Sequence, residues 1–356
     1  MTQHFILAKD SDQAQWNEFV LSHPDATPYH LFAWGQAVER AYGFKKHYWL
    51  MYENEQLCAI MPGVYMRTLV GKITLCSLPY CDIGGVLAIS EEHKQALLAH
   101  LHQHYAHPQL GCKSIEVREA NNTLLALNEA VEGEKVRMLL SLPASADELM
   151  TQFKSKLRSQ IRKAEKNGLS FRIVSHSPSN LEQEALDDFY AVIAENMRLL
   201  GSPVHSKLWY SEILASYGEQ AYLALVEFEG IVVGAALVIT THNKAVIPWA
   251  STRADYNRLA PNMLLYWAVL SEATARGMQE FDFGRSTVGE GTYNFKKQWG
   301  CLPQALNWQV YKNGSIQVAE HIKTSPAREL VENVWRKLPL SVTNTLGPKV
   351  RKYISL

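Results

Sequence analysis

One order of elements occurs twice in this chain. Strand, acidic turn, strand, strand, loop, helix, strand reads from about residue 47 to 118 and again from about 222 to 284. In the first pass, His47–Tyr52 and Leu57–Tyr65 flank the polar turn Glu53-Asn54-Glu55-Gln56. In the second, Tyr222–Glu227 and Ile231–Thr240 flank Phe228-Glu229-Gly230. Alternating apolar runs about so short a polar turn read as hairpins. Lys72–Leu78 and Ala245–Ala250 supply the next strands. The helices are Glu91–Tyr105 and one that Pro261 opens and Gly277 closes, with proline at the first turn and glycine past the last. Ser114–Arg118 and Glu280–Gly284 complete the two sets. The turns align Glu53-Asn54-Glu55-Gln56-Leu57 with Glu227-Phe228-Glu229-Gly230-Ile231. A chain of 356 residues exceeds one ordinary core. Two copies of one α/β fold are therefore predicted. With identity this weak, two unrelated α/β domains remain the alternative. The boundaries are set at 1–137, 138–315 and a tail, 316–356.

The formal net charge is zero and 20% of residues are charged, so no overall field draws the chain to nucleic acid or membrane. Five cysteines, at 58, 76, 81, 112 and 301, are odd in number and form no disulfide framework; they are expected to be reduced. The N-terminus lacks a basic start and a long apolar run, and no uncharged apolar stretch approaches membrane-crossing length. A cytosolic location is expected, with contact at the inner membrane face open to the tail. That tail reads as an amphipathic helix, Val318–Lys337, followed by Leu338-Pro339-Leu340, Leu346-Gly347-Pro348 and the basic Lys349, Arg351 and Lys352. Either it docks on the body or it meets an anionic membrane.

Ser145 with Glu148 and Ser179 with Glu182 read as capping boxes. Between them, Lys154 to Lys166 holds six cations and one acid. At helical spacing Arg158, Arg162 and Lys166 share one face. With Lys163 they suit phosphate better than a solvated face of mixed sign. Arg198, near a helix end, fits either a charge on the helix dipole or a phosphate or carboxylate clamp. His93, His100, His102, His104 and His107 cluster, but no acidic partner completes a zinc pattern, so a polar helix face is expected and no metal. Pro79-Tyr80-Cys81-Asp82, before Gly84-Gly85, is a loop that lets backbone approach a ligand. Asp282-Phe283-Gly284 shares letters with a kinase motif, yet neither a glycine-rich loop nor a His-Arg-Asp segment accompanies it. The densest run of special residues extends from there: Arg285-Ser286-Thr287, then Tyr293-Asn294-Phe295-Lys296 and Trp299-Gly300. A lysine desolvated among aromatic rings can stabilise a developing oxyanion, which makes Lys296 the leading catalytic candidate.

Together, Trp34-Gly35-Gln36, the basic run 156–168, Asn196-Met197-Arg198, Asp282-Phe283-Gly284-Arg285-Ser286 and Tyr293 to Gly300 resemble the Fem-type (FemAB-like) transferases. The subgroup most similar accompanies exopolysaccharide and PEP-CTERM sorting systems, and the second half resembles the BioF2-like acetyltransferase domain. The resemblance covers roughly residues 10–315. It implies two tandem GNAT-like (acyl-CoA N-acyltransferase) domains, each a mixed central sheet flanked by helices. It also implies acyl or aminoacyl transfer to an amine or hydroxyl of a peptidoglycan, exopolysaccharide or other envelope precursor. Phe295-Lys296 matches the family's reacting pair. Asp282 would orient or deprotonate the nucleophile, or hold Arg285. Tyr293, Phe295 and Trp299 would wall the acceptor pocket, with Trp34, Tyr80 and Arg198 as further substrate contacts. Arg158, Arg162, Lys163, Lys166 and Arg258 would take phosphate. The co-substrate is acyl-CoA or aminoacyl-tRNA, with no tightly bound cofactor. The acceptor is a small or lipid-linked saccharide or peptide, and a monomer is expected. Two features depart from the pattern: Ala37-Val38-Glu39-Arg40 lacks the first domain's phosphate lysine, and Arg258-Leu259-Ala260-Pro261 lacks the glycines of a CoA loop. They give weight to a second class, a non-catalytic GNAT-fold binding protein in polysaccharide assembly or sorting.

Overall fold

The computed structural model describes residues 2–68, 71–175, 180–312, 315–318 and 326–355. The chain divides into two compact units. One comprises Met1–Leu124, Gln304–His321 and Lys352–Leu356; the other comprises Leu125–Pro303 and Ile322–Arg351.

The first unit runs β1 (Gln3–Leu7), α1 (Gln13–Ser22), α2 (Phe32–Tyr42), β2 (Trp49–Glu53), β3 (Gln56–Met61), β4 (Val64–Arg67), β5 (Ile73–Cys76), β6 (Leu87–Ala88), α3 (Glu91–Tyr105) and β7 (Cys112–Leu124). The second runs β8 (Lys135–Ser141), α4 (Ala146–Gln152), α5 (Ser155–Lys166), β9 (Ser170–Ser175), α6 (Asn180–Leu199), α7 (Lys207–Tyr217), β10 (Ala221–Phe228), β11 (Ile231–Thr240), β12 (Lys244–Thr252), α8 (Pro261–Ala275), β13 (Glu280–Thr287) and α9 (Gly291–Lys297). Then follow β14 (Leu302–Lys312), β15 (Ser315–Val318), α10 (Pro326–Lys337) and α11 (Leu340–Arg351).

In the first unit β1, β2, β3 and β6 form one antiparallel sheet. A second ladder joins β4, β5, β7, β14 and β15, with β5 and β7 parallel. Leu97, Leu101 and Tyr105, spaced to lie on one face of α3, pack with Met51, Met61 and Leu75. In the second unit the order is β9-β10-β11-β12-β13-β8, antiparallel except for β12 and β13. Here α8 is apolar almost all round and buried, as a helix covered on more than one side must be. By contrast α5 buries only Leu157, Ile161 and Ala164 and turns its cations outward.

Each unit thus has a hairpin, a strand, a helix and a parallel return strand. Both hairpins use two-residue turns with both residues left-handed: Asn54 and Glu55 (φ 48° and 68°), and Glu229 and Gly230 (φ 50° and 78°). Such turns match the twist of the flanking strands. Ladder closure pairs Glu53 with Gln56 and Phe228 with Ile231. Glu53 therefore corresponds to Phe228, one residue from the alignment read by matching acids.

The Ser145 cap is present, its hydroxyl accepting from Glu148 N; Ser179 lies outside the described residues. The tail differs from one helix over Val318–Lys337. Val318 ends β15, α10 begins at Pro326, and Leu346-Gly347-Pro348 lies inside α11. Among the described residues, no helix is long and apolar enough to cross a membrane.

Candidate functional site

The parallel pairing of β12 and β13 is brief. It covers Lys244–Glu280, Ala245–Phe281 and Val246–Asp282 only. Beyond it β12 stays with β11 to Thr252, and β13 stays with β8 to Thr287. The two strands part, and a wedge opens between them. A bulge marks each side. On β12, Ile247 and Pro248 stand opposite Val238 alone, because pairing steps from Leu237–Trp249 to Ile239–Val246. Proline has no N–H to give a ladder and suits such a place. On β13, Phe283 and Gly284 stand opposite Met138, with Gly284 at φ 74°. Glycine adopts that angle without steric cost.

Asp282 holds the β13 bulge. One carboxylate oxygen accepts Gly284 N–H at 2.7 Å, and the other accepts from Arg137 at 3.3 Å. Both side chains are buried. Lys296 reaches the same bulge from α9. Its ammonium donates to Gly284 O at 3.0 Å and Arg285 O at 2.9 Å, and the residue is only 7% exposed. Burial pushes the Cys301 thiol up, Lys296 opposing and Asp282 adding to the rise. Arg285 is half-buried on β13.

Phe295 is half-exposed and meets Tyr266 edge-on at 4.9 Å; Trp299 is 1% exposed and packs edge-on against Phe153. Three atoms in this segment, Ser286 Oγ, Tyr293 Oη and Trp299 Nε1, are buried without a hydrogen-bond partner among the described residues. Burial also pushes the Tyr293 phenol up, keeping it a neutral donor.

A helix between two parallel strands starts at the edge where those strands end. The start of α8 therefore lies on the side where the wedge opens. Its N-cap, Ala260 (φ 64°), makes no side-chain cap bond, and Arg258 is exposed just before it. The end of α5 is tied there by Asn167 Nδ2 donating to Leu259 O at 3.1 Å. Along α5, Ser155, Arg158, Ser159, Arg162, Lys163 and Lys166 line an open cavity of about 480 Å³. Arg158 is the most committed of them, donating to the carbonyls of Thr151 and Phe153.

Other candidates lie apart from this segment. Arg198 donates to Arg336 O at 3.2 Å, within the second unit. Trp34 and Tyr80 belong to the first unit. The Trp34 indole donates to Pro79 O, and the Tyr80 hydroxyl to Lys352 O. The histidines of α3 mostly stack: His100 on Phe5 and His102 on Tyr311, with burial bringing the His102 imidazole down to about 4. No metal-holding group of His, Cys, Asp or Glu occurs among the described residues. Sequence reasoning missed Arg137. Its signal was a lone arginine inside the apolar strand Val136–Leu140.

Two α/β units, the second with splayed parallel strands around a helix N-terminus, define a tandem GNAT-fold protein. Residues 151–297 match the family described as acetyltransferase (GNAT) domain. A tandem GNAT protein from the clavulanic acid biosynthesis pathway aligns over 88% of this chain and 99% of its own, at 10% identity and TM-score 0.52. Within that class the fold is similar to that of FemX. FemX aligns over 93% of this chain and all of its own, at 14% identity and TM-score 0.65. A Lipid II:glycine glycyltransferase of Staphylococcus saprophyticus is 24% identical over 117 residues, 31% of this chain. The match spans about a quarter (26%) of that relative's length.

Proposed function

We propose that the protein is an acyl- or aminoacyltransferase acting on an amine, or a hydroxyl, of a phosphate-bearing cell-envelope precursor such as a peptidoglycan intermediate. The observation that carries this reading is the buried Lys296 ammonium, fixed by two carbonyls on the bulge of β13, the strand that parts from β12. In the reaction, the acceptor nitrogen bonds to the acyl carbon, whose oxygen takes the developing charge. The carbon–oxygen bond of an aminoacyl ester, or the carbon–sulfur bond of a thioester, then breaks, and the leaving group takes the proton that the amine releases. A pre-set ammonium stabilises the tetrahedral oxyanion without reorganising at that moment. Asp282 acts through position: with Arg137 it shapes the bulge whose carbonyls seat Lys296. Both donor classes carry phosphate, which suits Arg258, the α8 N-terminus and the α5 cavity. Similarity to the Lipid II:glycine glycyltransferase favours an aminoacyl group such as glycyl as the group transferred and a Lipid II-like acceptor.

The test is a transfer assay with labelled aminoacyl-tRNA or acyl-CoA and soluble or lipid-linked muropeptide precursors. Product is expected with one donor, and Arg162→Glu with Lys163→Glu and Lys166→Glu should raise its KM at least about tenfold, the effect weakening with salt. Precursor binding without turnover by either donor would move the protein to the non-catalytic class.

A further inference from the structure

Helix α10 leaves its aliphatic stripe uncovered. Its aliphatic residues Leu330, Val331 and Val334 share one arc of the helix, yet they are 65%, 63% and 53% exposed. The side that meets the protein carries Glu332 and Trp335, the half-buried residues of the helix. A Cβ on Gly201, just past α6, would lie 2.9 Å from both Glu332 Cβ and Glu332 O. Arg336 donates to Leu200 O at 3.3 Å, and Arg198 donates to Arg336 O at 3.2 Å. Glu332 is drawn in by Arg328 at 2.9 Å and Arg336 at 3.9 Å. A surface helix of a soluble domain buries its aliphatic stripe. The adjoining end of α6 adds Leu199 and Leu200, 42% and 56% exposed. Exposed apolar side chains grouped in this way mark an interaction surface.

We propose that α10 and the end of α6 lie on an anionic lipid surface, with Leu330, Val331 and Val334 entering the acyl boundary. Charge selects this occupant. From Pro326 to Arg351 there are five basic and two acidic residues, one of the acids being the doubly paired Glu332. The whole chain is neutral, so the segment that carries the exposed aliphatic stripe has an excess of positive charge that the rest of the chain does not share. Anionic bilayers attract that pairing of features. A second copy of the chain would bring the same positive charge against itself. The helix would lie on the bilayer and not cross it.

The full chain is to be co-sedimented with vesicles containing phosphatidylglycerol and with vesicles of phosphatidylcholine alone. Neither carries a muropeptide, so the result is independent of the transferase reading. Binding is expected to the first, and to be at least about tenfold weaker to the second. Leu330→Glu with Val331→Glu and Val334→Glu should lower partitioning at least about tenfold and leave the thermal midpoint and circular dichroism unchanged, because these side chains are exposed. Lys337→Glu with Lys349→Glu should weaken binding at low salt. Unchanged binding by the aliphatic variant, or no binding by the native chain, overturns the proposal. So does a native dimer, seen by light scattering, that the aliphatic variant dissociates without any vesicle binding; the patch would then join two copies.

Discussion

Replacing Lys296 by Met separates the structural and chemical roles of one side chain. The lysine is 7% exposed, and its ammonium meets two backbone carbonyls at 3.0 and 2.9 Å. Methionine keeps most of the stem's volume, so the packing loss is small. It donates nothing, and Gly284 O and Arg285 O lose a charged partner. An unsatisfied buried acceptor costs about 1–3 kcal/mol. Against this, the variant no longer desolvates an ammonium, a term of several kcal/mol for an isolated ion. The two terms are of similar size and opposite sign, so a net change of no more than about 2 kcal/mol is expected, measured by urea unfolding followed through tryptophan fluorescence. At a urea concentration where both proteins are folded, kcat should fall by about 10²–10³, the loss seen when one oxyanion donor is removed, with KM little changed. Lys296→Arg keeps the charge but not the shape, and should recover stability more than rate. A stable variant that keeps kcat within about threefold would refute its place at the reacting centre.

Two further perturbations probe the same unit. Gly284→Ala forces a Cβ onto φ 74° and should cost about 1–2 kcal/mol. Gly43→Ala, at the same φ but in open space in the first unit, should cost a like amount, so a loss of transfer activity confined to the first variant tests the bulge. His205 is 2% exposed beside Trp209, Tyr210 and Trp249. Burial, reinforced by Arg351, holds its imidazole well below the usual 6.5. The folded state keeps it neutral while the unfolded chain protonates below about pH 6.5. Its contribution is therefore complete above that pH and is lost as the pH falls toward the folded value. Urea midpoints between pH 7.5 and 5.5 should show His205→Gln with a shallower acid fall, by up to about one proton per molecule; parallel curves would exclude His205 as the source.

The repeat was legible because hairpins, caps and helix ends are local. Pro261, Gly277 and Gly168 punctuate the chain where their backbone preferences say they should, with Gly168 at φ 86° and Gly277 at φ 78°. The hairpin register was misread by one residue because shared acids aligned the wrong pair. The register is set by which two residues can turn left-handed, and Asn54-Glu55 hides that capacity where Glu229-Gly230 shows it. The tail was legible as amphipathic, but periodicity gives only the existence of two faces; which one meets the protein depends on Gly201 accepting Glu332 closely enough.

The site shows the same division at a finer scale. Gly284, Pro248 and Lys296 were all visible as residue types, and Lys296 stood out for its aromatic neighbours. A bulge, however, belongs to a pair of strands, because it exists only where two residues oppose one. Neither Val238 nor Met138, the single residues opposite the bulges, carries any mark in the sequence. Arg137 was missed for the same reason: it looks like a stray charge in an apolar strand until the bulge brings Asp282 to it. The inference runs from pairing to chemistry. The ladders move β12 and β13 apart, and the bulge of β13 offers two carbonyls to α9 that hold a cation. A change that straightened β13 would therefore remove the Lys296 seat while leaving every proposed catalytic side chain in place, which is why Gly284 belongs to the mechanism as much as Lys296 does.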